Sequence, residues 1–130
     1  MTRRDARDAA FKLVFQLIAQ NETAENIIEL YYLEHKPSGD SRRYIEDAIN
    51  GVAQNIDAID EKISSLLEGW KLERVSKVAL CALRLSLYEL TYRDDIPQSV
   101  SINEAVSITK KYGGEEAASF VNGMLASFTK

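Results

Sequence analysis

Apolar residues in this chain recur mostly at steps of three and four. From residue 5 to 20, Ala6, Ala9, Ala10, Leu13, Val14 and Leu17 form one such stripe, which predicts a helix. A second line on the same helix, Arg4, Arg7, Phe11, Phe15 and Ile18, begins basic and turns aromatic. Residues 21–23 break the pattern, and Thr23 is placed to cap a helix reaching about residue 34, with Ala24, Ile27, Ile28 and Tyr31 on one face. Pro37 and Gly39 end it. The stripe Tyr44, Ile45, Ala48, Ile49 and Val52 predicts a third helix over about 41–55. Ile56, Ile59, Ile63, Leu66 and Leu67 predict a fourth, with Asp57 as its N-cap, ending near Gly69. Trp70 opens a short connector and is expected to plug the bundle.

The longest apolar run follows. Residues 78–90 read VALCALRLSLYEL, interrupted clearly only by Arg84, Ser86 and Glu89. A helix apolar most of the way round must be covered by neighbours on several sides. It is too short to span a bilayer, which takes about 20 apolar residues. Its helix is expected over about 76–93. Residues 94–97, Asp-Asp-Ile-Pro, break the chain. Ser101 and Glu104 have the spacing of a capping box for the next helix, which turns Ile102, Ala105, Val106 and Thr109 inward. Gly113-Gly114 closes it, with Lys110 and Lys111 in the last turn. A final helix over about 115–127 carries Ala117, Phe120, Val121, Met124, Leu125 and Phe128 on its stripe. No long period-two alternation occurs, so the expected class is all-α, with about seven helices and short connections.

A length of 130 residues is that of one domain. With 45% hydrophobic and 28% charged residues, the composition is that of a globular protein. The N-terminus lacks the apolar segment and cleavage site of a signal peptide, and a cytoplasmic location is expected. The net charge of −4 argues against a general polyanion binder. Its distribution changes that picture locally. Residues 1–12 set Arg3, Arg4, Arg7 and Lys12 against Asp5 and Asp8, a balance of +2 that leaves −6 for the rest. A short basic arm on an acidic body can meet phosphates locally.

Enzymatic chemistry finds little support. His35 is the only histidine and Cys81 the only cysteine, and they fall on separate helices. Neither a metal set nor a nucleophile–base pair follows from them. Gly113-Gly114 is followed by Glu115 and Glu116 rather than by Lys-Ser/Thr, so it is no phosphate-binding loop. No cofactor motif appears. Composition and spacing support a non-enzymatic binding domain and do not name its ligand.

Several blocks occur in an informative order: Arg4-Asp-Ala-Arg7, the Trp70…Arg74…Lys77 connector, Leu83-Arg-Leu-Ser-Leu-Tyr-Glu-Leu90, Asp95-Ile-Pro97, Ile102-Asn-Glu-Ala-Val106, Lys110-Lys-Tyr-Gly113 and Phe120-Val-Asn-Gly123. Together they resemble the NusB family of bacterial transcription antitermination factors, over essentially the whole chain. The resemblance implies two small packed helical bundles, expected at about 1–69 and 70–130 within one RNA-binding domain. It implies binding to boxA RNA together with NusE, a ribosomal protein, to help RNA polymerase read through terminators, notably in ribosomal RNA operons. It implies no catalysis.

By the same resemblance, Arg3, Arg4 and Arg7 meet phosphates, and Phe15, Tyr112 and Phe120 lie at or near aromatic RNA contacts. Glu116 falls beside them; it would repel phosphate, and so limit affinity or orient an arginine. Arg84, Glu89, Asn103 and Glu104 are expected to be structural. Lys77, Ala79 and Leu80 fall at the partner surface. The family usually has an acidic and then a basic residue where this chain has Ala79 and Leu80, and an exposed Leu80 would favour a homodimer. The alternative expectation is therefore a NusB-like interaction or dimerisation module with weak or absent boxA selectivity.

Overall fold

The computed structural model describes residues 1–69 and 71–129. Among them are seven α-helices and one short 3₁₀ turn, and no strand: α1 (Arg3–Ala19), α2 (Ala24–Glu34), α3 (Gly39–Gln54), α4 (Ile56–Leu66), α5 (Lys77–Tyr92), α6 (Gln98–Gly113) and α7 (Glu115–Phe128), with the 3₁₀ turn at Leu72–Arg74 between α4 and α5. The all-α expectation holds. None of these helices is long and apolar enough to cross a membrane. Trp70, expected to plug the bundle, lies outside the described residues.

The chain divides into two compact units, Met1–Gln54 and Asn55–Lys130. The boundary expected near residue 69 thus falls one helix earlier. The reason is packing: α4 lies against α5 and α7. In the first unit α1 packs on α3, and α2 on both. Ala6 and Ala10 are fully buried, and so small a side chain lets the two helix backbones approach. Val14, Ile45, Ile49 and Val52 fill the space between them.

In the second unit α5 is the centre. Every residue from Cys81 to Glu89 is buried, and α4, α6 and α7 cover it. Leu83 and Leu87 meet a core that includes Ile63, Val121 and Leu125. Each such side chain contributes roughly 1.5–3 kcal/mol on burial. The polar interruptions of α5 are satisfied within the core. Arg84 lays two parallel hydrogen bonds on Asp60 of α4, Nε to Oδ1 at 2.8 Å and Nη2 to Oδ2 at 2.9 Å. The Ser86 hydroxyl meets that of Ser101 on α6 at 2.9 Å.

That last contact corrects one expected cap. α6 begins at Gln98, directly after Pro97, so Ser101 is inside the helix and cannot cap it. Asp57 is likewise no cap: α4 starts at Ile56, which places the aspartate in the first turn, where a negative charge still favours the helix dipole. Thr23 does cap α2, accepting from the Asn26 N–H at 3.2 Å. α1 starts two residues earlier than expected. Thr2 and Asp5 form a reciprocal capping box, Thr2 Oγ1 accepting from the Asp5 N–H at 3.0 Å and Asp5 Oδ2 from the Thr2 N–H at 3.3 Å.

Candidate nucleic-acid interface

The residues expected to bind RNA fall in both units. In the first, the early start of α1 puts Arg3 and Arg4 in its opening turn, both exposed. Cations there oppose the helix dipole, at a cost of typically 0.3–1 kcal/mol each. Helix stability therefore does not account for them, which favours a role in contacting a ligand.

Arg7 departs from expectation. It was expected to meet phosphate, but it is only 3% exposed. Its guanidinium lies over the buried Tyr44 ring of α3, 5.3 Å from the centroid, and that of Arg3 lies over the same ring at 5.8 Å. Such contacts gain electrostatic energy from the ring face, more so when water is excluded. Burial on Tyr44 leaves Arg3 and Arg4 as the exposed arginines of the arm. The apolar pattern places Tyr44 on the core stripe and carries no signal for this second role, because ring and arginines are about 40 positions apart. Phe15, two turns beyond Arg7, is half-buried and keeps part of its ring accessible.

In the second unit Tyr112 ends α6 and Phe120 stands on α7, each 37% exposed. Phe120 presents ring surface for stacking, and the Tyr112 ring carries the Lys111 ammonium 5.1 Å from its centroid. Glu116 is one turn before Phe120 on the same helix face and is exposed. Between α7 and α5 is a hollow of about 510 Å³, lined by Arg74, Val75, Ser76, Ala79, Gly113, Glu116, Ala117 and Phe120. Arg74 brings a cation to its rim; in the sequence it stands out only as part of a connector motif.

The floor of the hollow depends on close helix approach. A Cβ on Gly113 would come within 3.0 Å of Val78 Cγ1 on α5. Gly114, at φ 92° and ψ 176°, adopts backbone geometry open essentially to glycine alone and turns the chain from α6 into α7. Ala79, expected at the partner surface, is 1% exposed, so it forms part of the floor and projects nothing outward. Leu80 is half-buried and Lys77 is exposed.

No group of three or more His, Cys, Asp or Glu side chains among the described residues is placed to hold a metal ion. Residues 4–130 match the NusB family. The chain belongs to that family. It is 45% identical to the transcription antitermination protein NusB of Acetivibrio thermocellus over 130 residues, spanning all of this chain and 90% of that protein. In three dimensions it is similar to T. maritima NusB, with a TM-score of 0.88 and 39% identity over 98% of this chain and 89% of the other. It is also similar to a chain in the crystal structure of antitermination factors NusB and NusE in complex with double-stranded RNA, with a TM-score of 0.85 and 28% identity over 98% and 96% of the two chains. This NusB-family protein is a transcription antitermination factor.

Proposed function

We propose that the chain binds boxA-type single-stranded RNA together with NusE and acts in an antitermination complex with RNA polymerase in the cytoplasm. The similarity along nearly its full length to a chain in a complex of NusB and NusE with double-stranded RNA supports the RNA and NusE parts of this reading. The side chains support it. Arg3 and Arg4 are exposed where a helix would favour carboxylates, and they suit phosphate oxygens. Phe15, Tyr112 and Phe120 keep ring surface accessible for unstacked bases. Stacking of this kind is worth roughly 1–3 kcal/mol per base. Glu116 repels phosphate and accepts from base amino groups, so it favours bases over backbone at the Phe120 position.

In this proposal the protein has no catalytic role. Lys77 and Leu80 belong to the partner surface and Ala79 supports it from beneath. A reconstituted transcription reaction tests the function. Adding this protein with NusE to RNA polymerase on a boxA-bearing template is expected to raise read-through of a downstream terminator. Equal read-through on templates with and without boxA would contradict the proposal.

A further inference from the structure

The first unit holds a second recess, and its chemistry is opposite to that of the basic arm. A furrow of about 580 Å³ runs between α1 and α2, with Asp5, Asp8, Leu13, Gln16, Leu30 and Glu34 among its lining. On its α2 side Leu30 lines it and is 60% exposed; Leu33, one turn further on and outside the lining, is 75% exposed. α2 buries only Ile27 completely. Single exposed leucines are ordinary, but a pair at i and i+3 beside a furrow presents a continuous apolar edge.

Charge indicates what can cover that edge. α1 is two-faced. Arg3 and Arg7 lie over Tyr44 of α3, whereas Asp5, Asp8 and Lys12 line the furrow. Across from them α2 brings Glu34 to the furrow; Glu22, Glu25 and Glu29 stand elsewhere on the same segment, which Lys36 follows. The furrow's lining thus sets Asp5, Asp8 and Glu34 against the single ammonium of Lys12, which is already 3.1 Å from Asp8. The furrow carries a local excess of two negative charges. Nucleic acid is repelled by such a surface.

We infer that the α1–α2 furrow is a docking site for a cationic amphipathic helix of a protein partner. Leucine-sized side chains of that helix would lie on Leu13 and Leu30, with Leu33 at the outer edge, and its lysines or arginines would meet Asp5 and Glu34. This is the helix-in-groove mode of recognition, with apolar anchors at i, i+3 and i+4 and charges at the rim. The site does not depend on the RNA reading, because it uses the opposite face of α1.

The test uses the intact protein labelled with ¹⁵N and a synthetic helical peptide of leucine at every third and fourth position with lysine elsewhere. The expected result is amide shifts confined to Gln16, Gln20, Leu30, Leu33 and their neighbours. A counterpart with glutamate in place of lysine is expected to leave these amides unmoved. Leu30→Ser with Leu33→Ser, both at exposed positions, should weaken the lysine peptide about tenfold or more. Four results would overturn the inference: shifts centred elsewhere, equal binding of the glutamate peptide, unchanged affinity in the serine variant, or movement of the same amides by single-stranded RNA. Since RNA binding is read on the same sample through the amides around Arg3 and Phe120, failure of the furrow and failure of the RNA reading are distinguishable.

Discussion

At the scale of single residues, the two arginines at Tyr44 separate roles that look alike in sequence. Arg7 is buried against the ring and Arg3 is exposed beside it. Arg7→Ala is therefore expected to lower stability by about 1–2 kcal/mol, because it removes a desolvated cation–π contact and the packing of a long side chain. Urea denaturation checks this, and an unchanged midpoint would remove Arg7 from the core. Arg3→Ala should leave the midpoint in place and instead flatten the salt dependence of RNA binding. On a single strand the log–log slope should fall by about 0.7 for each phosphate that is no longer neutralised. The positions of Arg3 and Arg7 on a basic line were legible in the sequence. Their different burial was not, because it depends on Tyr44, a residue that helical periodicity assigns only to the core. Ala79 has the same lesson: a motif position near a partner surface can be filled by a side chain too small to reach it.

At the scale of helices, the stripes were legible and the ends less so. Periodicity averages over a whole helix, whereas a terminus is decided by one or two hydrogen bonds. Thr2 and Asp5 extend α1 by two residues, and Pro97 starts α6 three residues before Ser101. Arg84 and Glu89 of α5 are expected to be structural, and the structure gives Arg84, and Ser86 as well, a partner from another helix. The Arg84–Asp60 clamp joins α5 to α4, with side-chain exposures of only 10% and 24%. Arg84→Ala would leave Asp60 partly buried without its guanidinium, at a cost of about 2–4 kcal/mol. A double variant, Arg84→Met with Asp60→Leu, is expected to recover most of that loss in the same denaturation assay; no recovery would mean that the charges themselves hold the helices. The α6–α7 corner is the other sensitive point. Gly114→Ala should cost about 1–3 kcal/mol because of its backbone geometry. A neutral outcome in thermal unfolding would contradict the turn described.

At the scale of the molecule, the class and helix count follow from patterning, and the division into two units does not. A short break at 54–56 and a longer connector at 67–76 look in sequence as though the longer one should separate the units; packing of α4 on α5 and α7 reverses that order. Stability of the whole chain should also fall at high pH. Burial pushes the Cys81 thiol from an ordinary 9.0 up to about 12, an effect the nearby Arg84 only partly offsets. Burial likewise pushes Tyr32 from 10.0 up to about 12. The unfolded chain releases these protons first, so their contribution is full below about pH 9 and is lost progressively as pH rises towards 12. Cys81→Ala is expected to make the decline shallower above pH 9, as measured by urea unfolding across that range; an unchanged slope would assign it elsewhere.

The proposed RNA function draws on features of both units, the exposed arginines of α1 and the open aromatics of α6 and α7. Its most direct test is an equilibrium titration of the intact protein with a boxA-type single-stranded RNA and with a scrambled RNA of the same composition, each with and without NusE. The expected result is tighter binding to boxA than to the scrambled strand, with the difference enlarged by NusE. Equal affinity for the two strands in both conditions would contradict it.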